Sequence, residues 1–131
     1  MLETIGYIAL SIVGFFVFMQ LYIWTSSFFK KGKYINEFGG ELGKRIKSGE
    51  KLLIYFYTNS CAACRPMTTV IDKMKNERND IYKVNLSIDF EIGKKFGVMG
   101  TPATLVVENS RINQFVLGAR TEHFIKKMIE K

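Results

Sequence analysis

Histidine and cysteine are nearly missing from this chain. His123 is the only histidine and Cys61 and Cys64 the only cysteines in 131 residues. One copy therefore cannot supply the four nitrogen or sulfur ligands of an ordinary structural zinc site, and no metal is expected. No GxGxxG run is present, which removes the usual signature of a bound dinucleotide or flavin. Internal repeats and low-complexity tracts are missing too. The formal charge is +7, but Lys and Arg are scattered among Asp and Glu rather than gathered into one block, so a nucleic-acid surface is not indicated.

Charge is absent from Thr4 to Phe29. The run IGYIALSIVGFFVFMQLYIW within that stretch is apolar on every face and long enough to cross a bilayer. A cleaved signal peptide fits poorly: the residues before the run contain no Lys or Arg, the apolar core is long, and Ser26-Ser27 is followed by Phe28-Phe29 instead of a small-x-small exit. A buried core helix fits worse, because the remaining residues make a domain too small to enclose a helix that is apolar all round. The expected division is an anchor over 1–29, in contact with lipid through residues 4–29, a linker over 30–40 and one domain over 41–131. Lys30, Lys31 and Lys33 follow the run directly, whereas Glu3 is the only charged side chain before it. This asymmetry predicts a single-pass membrane protein with its C-terminal domain in the cytoplasm, the extracytoplasmic orientation being the alternative.

Beyond the linker, periodicity gives α-β-α-β-α-β-β-α. A helix is expected from Glu41 to Ser48 with Gly49 after it. Lys51 to Thr58 reads as a strand buried on both faces, because LLIYFY is continuously apolar and aromatic. Cys61 to Glu77 reads as a helix with Met67, Val70, Ile71 and Met74 at helical spacing; Pro66 in it removes a backbone donor and predicts a kink. A strand over Ile81 to Leu86, a helix over Ile88 to Phe96, and strands over Ala103 to Val107 and Arg111 to Leu117 follow, the last two joined by a two-residue turn at Asn109-Ser110. A final helix from Thr121 to Glu130 places Phe124, Ile125, Met128 and Ile129 on one face. The fold class is α/β, a mixed sheet of about four strands flanked by helices and preceded by one transmembrane helix.

The two cysteines stand as Cys61-Ala62-Ala63-Cys64 where a buried strand passes into a helix. Free N–H groups and the helix dipole favour a thiolate on the first sulfur, and the second lies within reach of it. Arg65 adds a positive charge nearby. A structural disulfide and a pair of inert thiols are the competing readings; a bridge across so short a loop stabilises little by chain entropy. The strand-to-helix setting favours redox chemistry.

The segment LLIYFYTNSCAACRPMTTVIDKM resembles the active-site strand and helix of the thioredoxin family, and GVMGTPATLVV resembles the segment that carries its cis-proline. The resemblance covers about residues 38–131. It implies a protein thiol–disulfide oxidoreductase in which Cys61 attacks, Cys64 resolves, and Thr101 and cis-Pro102 pair with an extended substrate strand. Lys83 matches a family lysine beneath the active site. It also implies cysteine-containing client proteins, a separate electron donor or acceptor, and no cofactor beyond the Cys61/Cys64 disulfide. The chain departs from the family pattern at Ser60, where tryptophan is usual, at Ala62-Ala63, and at Tyr55, where a buried aspartate is usual; water or Lys83 would then handle the resolving proton. Tyr34 to Phe38 is the only short candidate for the family's first strand. A redox-inactive binding or scaffold module at the membrane is the alternative.

Overall fold

The computed structural model describes residues 1–29 and 39–131. The chain divides into two units, residues 1–30 and 31–131. The first is a single helix, α1 (Leu2–Phe29), within which Leu2–Tyr22 is long and apolar enough to cross a membrane. The linker lysines and the Tyr34–Phe38 candidate strand lie outside the described residues.

The second unit contains α2 (Gly40–Lys47), β1 (Leu52–Tyr57), α3 (Cys64–Glu77), β2 (Ile81–Asn85), α4 (Phe90–Phe96), β3 (Ala103–Glu108), β4 (Arg111–Leu117) and α5 (Glu122–Glu130). Its sheet has the order β2-β1-β3-β4, with β1 parallel to β2 and antiparallel to β3, and β3 antiparallel to β4. The continuous apolar run of β1 follows from this central place. Alternate residues point to opposite faces. Leu52, Ile54 and Phe56 join Leu42, Ile46, Phe96, Leu105 and Val107 under α2 and α4, while Leu53 and Tyr55 join Met67, Ile71, Met74, Ile125 and Met128 under α3 and α5.

The turn between β3 and β4 has positive φ at both Asn109 and Ser110, the condition for a two-residue turn whose twist matches the strands. Gly93 packs against Leu86, where a Cβ would collide, so α4 can lie close to the end of β2.

Three helix details differ from the sequence expectation. α3 begins at Cys64, not Cys61, because the residues before it form i→i+3 turns: Cys64 N–H donates to Cys61 O and Arg65 N–H to Ala62 O, both at 3.3 Å. Pro66 is consequently the third residue of the helix, where its missing N–H has no intrahelical acceptor anyway, and the expected loss of a bond does not arise. α4 starts two residues after Ile88, whose N–H is taken up by Asn85 O at 3.1 Å. Phe124 leaves the buried face of α5 and is exposed beside the Arg120 guanidinium, 5.5 Å from its ring centroid, so the helix covers the sheet with Ile125, Met128 and Ile129.

Candidate active site

β1 delivers the chain to one end of the sheet, and the turns after it carry the cysteines. Cys61 and Cys64 are joined in a disulfide with their Cα atoms 5.3 Å apart. The two sulfurs are not equivalent. Cys61 is half-buried and Cys64 only 2% exposed, so an incoming thiolate meets Cys61 first. The Cys64 backbone N–H donates to Cys61 Sγ at 3.2 Å. This N–H at the helix start is shared with Cys61 O, and it favours negative charge on that sulfur when the disulfide opens.

The loop before β3 reaches the same end of the sheet. The Thr101-Pro102 bond is cis, as the resemblance implied. Thr101 is half-buried, Pro102 is buried, and the Thr101 hydroxyl lies 3.5 Å from that of Thr58 at the end of β1. Pro102 O accepts from Gly118 N–H at 2.8 Å, tying this loop to the end of β4. These contacts bring the cis-proline turn to the same end of the sheet as the disulfide.

The thioredoxin family model matches residues 36–131. The chain belongs to the thioredoxin family. It is 29% identical over 86 residues to thioredoxin H2 of Arabidopsis thaliana, an overlap of 63% of this chain and 65% of that one. Over 104 residues it is 27% identical to NADPH-dependent thioredoxin reductase 3 of the same plant, covering 76% of this chain and 18% of the relative. The chain thus spans less than two thirds of the length of either. Among solved structures, a mutant thioredoxin from Halobacterium salinarum NRC-1 matches in fold with a TM-score of 0.63 at 20% identity, covering 77% of this chain and 89% of that one.

Within this thioredoxin domain the supporting residues are arranged in their own way. Lys83 lies next to Tyr55 across the β1–β2 pairing, but its ammonium donates to Asp72 Oδ1 at 2.6 Å and stands 5.0 Å from the Tyr57 ring centroid. Its partners are Asp72 and Tyr57 rather than either cysteine. Arg65 is exposed in the first turn of α3. Tyr55 is wholly buried, and its hydroxyl bonds Cys64 O at 3.2 Å and the Thr68 hydroxyl at 2.9 Å.

Two features of the site were not singled out from sequence. Asn85 Nδ2 donates to Asn59 Oδ1 at 3.1 Å, and Asn85 Oδ1 accepts from Ser87 N–H at 3.0 Å. One side chain thereby holds the loop before Cys61 against the end of β2. Thr68 was missed as well, although it lies one helical turn beyond Cys64 and so on the same face. Among the described residues no cluster of three or more His, Cys, Asp and Glu side chains is placed to hold a metal ion.

Proposed function

We propose that this chain is a membrane-anchored thiol–disulfide oxidoreductase that exchanges disulfides with cysteines of other proteins. The observation that carries this reading is the asymmetry of the pair, a reachable Cys61 sulfur that accepts a helix-start N–H and a buried Cys64 sulfur behind it. In the reductive direction, the Cys61 thiolate attacks a client disulfide and forms a mixed disulfide. Cys64 then attacks Cys61, releasing the client as a dithiol and regenerating the internal disulfide. The pair is itself the redox centre, with no bound organic cofactor. Thr101 and Pro102 offer a wall against which an extended client segment can lie. Electrons come from or go to a separate protein; the likeness to a protein named NADPH-dependent thioredoxin reductase suits a reductase as donor.

The test is reduction of insulin disulfides by the full-length protein in detergent with dithiothreitol. Turnover above the dithiothreitol background is expected, and Cys61→Ser should return it to that background. No acceleration by the wild-type protein would favour the redox-inactive binding module instead.

α1 supplies the anchor in this reading. Its 28 residues make a rod of about 42 Å, more than the roughly 30 Å hydrocarbon core requires. Lys30, Lys31 and Lys33 after the apolar run favour a cytoplasmic redox domain. There the pair is kept reduced and the protein acts as a reductant. Because Cys61 and Cys64 are the only cysteines, a membrane-impermeant maleimide applied to intact cells after mild reduction should leave the protein unlabelled until the cells are lysed. Prompt labelling of intact cells would place the domain outside.

A further inference from the structure

The start of α3 lacks the support that a helix start usually has. Ala63 occupies the N-cap position and provides no side-chain hydrogen bond, so the turn ahead of the helix is held by backbone bonds and by the disulfide. The turn from Cys61 to Cys64 is closed by one backbone N–H, that of Cys64, which lies 3.2 Å from Cys61 Sγ and 3.3 Å from Cys61 O. In the oxidised protein the disulfide fixes this turn covalently. Once a client occupies Cys61, that constraint is gone, and Cys64 has to stay in place by noncovalent contacts alone.

Tyr55 is built into β1 directly beneath this turn. Its hydroxyl has one proton to donate. When that proton goes to the Cys64 carbonyl at 3.2 Å, the oxygen accepts from Thr68 Oγ1 at 2.9 Å. The two partners are four residues apart, so a single buried hydroxyl spans the first turn of α3 and fastens it to the central strand. We propose that Tyr55 is a positioning residue for the second half of the exchange, holding Cys64 within reach of Cys61 after the bond between them has opened. This assignment rests on the oxidoreductase reading. In the step it serves, the Cys64 thiol gives its proton to water and the thiolate attacks Cys61 Sγ. The Cys61–Cys64 bond forms, the bond from Cys61 to the client sulfur breaks, and the client leaves as a thiolate that takes a proton from water.

The role is positional and not acid–base. Burial pushes the Tyr55 phenol above its ordinary pKa, and the charges of Asp72 and Tyr57 push the same way against the hydrogen bond to Thr68. The hydroxyl therefore stays neutral where exchange occurs. The surrounding groups agree with this. Across the sheet Tyr55 is flanked by Lys83 on β2 and Thr104 on β3. Lys83 is held by Asp72 of α3, and Thr104 is an uncharged buried side chain. From α5 the same cluster receives Ile125, Met128 and Ile129; Glu122 on that helix is paired with Lys126 and Lys73.

The experiment is a single turnover of the reduced full-length protein in detergent with insulin, acid-quenched so that formation and decay of the mixed disulfide are read separately over a range of pH. Tyr55→Phe, which removes one oxygen, should slow decay by about threefold to tenfold, the factor expected for one neutral hydrogen bond, while formation changes by less than about twofold. The pH profile of decay should keep its shape. Thr68→Val should slow decay in the same direction and Thr68→Ser should restore it, which keeps the test intact if Tyr55→Phe folds poorly. Equal slowing of formation and decay, unchanged decay in a folded Tyr55→Phe protein, or a titration in the wild-type decay that vanishes with Tyr55→Phe would each overturn the assignment. Failure of the wild-type protein to form any mixed disulfide would overturn the oxidoreductase reading, and this one with it.

Discussion

Serine in place of Cys64 should turn the protein into a trap for its clients. The attacking half of the exchange needs only Cys61, which is half-buried and receives the Cys64 backbone N–H, and a serine keeps that N–H. The resolving half needs a second sulfur, and Cys64 is the only other cysteine in the chain. With that sulfur replaced, the mixed disulfide can be released only by an external thiol. Insulin turnover should fall to the dithiothreitol background, and disulfide-linked adducts should build up on non-reducing gels. Cys61→Ser should lose turnover to the same extent but accumulate no adducts, because the remaining sulfur is 2% exposed. The fold should survive both changes. A disulfide between residues three apart contributes about 2 kcal/mol on the chain-entropy account, a modest share of the roughly 5–15 kcal/mol by which domains are stable. Equal trapping by the two variants would mean that the sulfurs are interchangeable, and the assignment of attacker and resolver would fail. The trapped proteins would identify the client class, which nothing in the chain's own residues specifies.

What sequence made legible here was mostly what depends on local periodicity. β1 was readable as a strand covered on both sides because LLIYFY leaves no polar face, and its residues do divide between two clusters on opposite faces of the sheet. The Asn109-Ser110 turn was readable because two adjacent residues that tolerate positive φ stood between two apolar runs. The Cys61/Cys64 pair and the Thr101-Pro102 turn were found as separate motifs, and only the fold brings them to one end of the sheet. The polar contacts that tie the site to other elements were not readable, since they join residues distant in sequence. Asn59 meets Asn85 across 26 positions and Tyr55 meets Thr68 across 13; the first depends on the register of β1 with β2, the second on how α3 packs over β1. Lys83 is expected beneath the active site from the resemblance; it pairs across the sheet with Tyr55, and the direction of its ammonium is decided by Asp72 on a neighbouring helix. The start of α3 was read three residues early for a different reason. The turn around the disulfide makes i→i+3 bonds, and helical spacing of apolar residues does not distinguish such a turn from the helix it leads into.

Phe56→Ala should be among the most destabilising single changes in the domain, with an expected loss of about 3 to 5 kcal/mol. Phe56 is fully buried in the central strand, and its ring meets that of Phe96 edge-on, with centroids 5.6 Å apart. Such a pair adds about 0.5–1.5 kcal/mol beyond the area it buries. Its strand neighbours are Val84 on β2 and Ala103 on β3. The alanine offers only a methyl group, so little side chain is at hand to close the cavity, which puts the site at the costly end of the range. The same strand holds Tyr55 on its other face and leads into the turns of the disulfide, yet Phe56 itself faces α2 and α4. Stability and chemistry should therefore separate. Urea unfolding followed by circular dichroism should show a lower midpoint with an unchanged slope, while insulin turnover per folded molecule without urea stays within about twofold of wild type. Phe56→Leu, which keeps most of the volume, should cost less than half as much. A loss below about 0.5 kcal/mol for the alanine variant, the range of an ordinary surface substitution, would show that β1 does not occupy the centre of the sheet and would undo the arrangement on which the site is built.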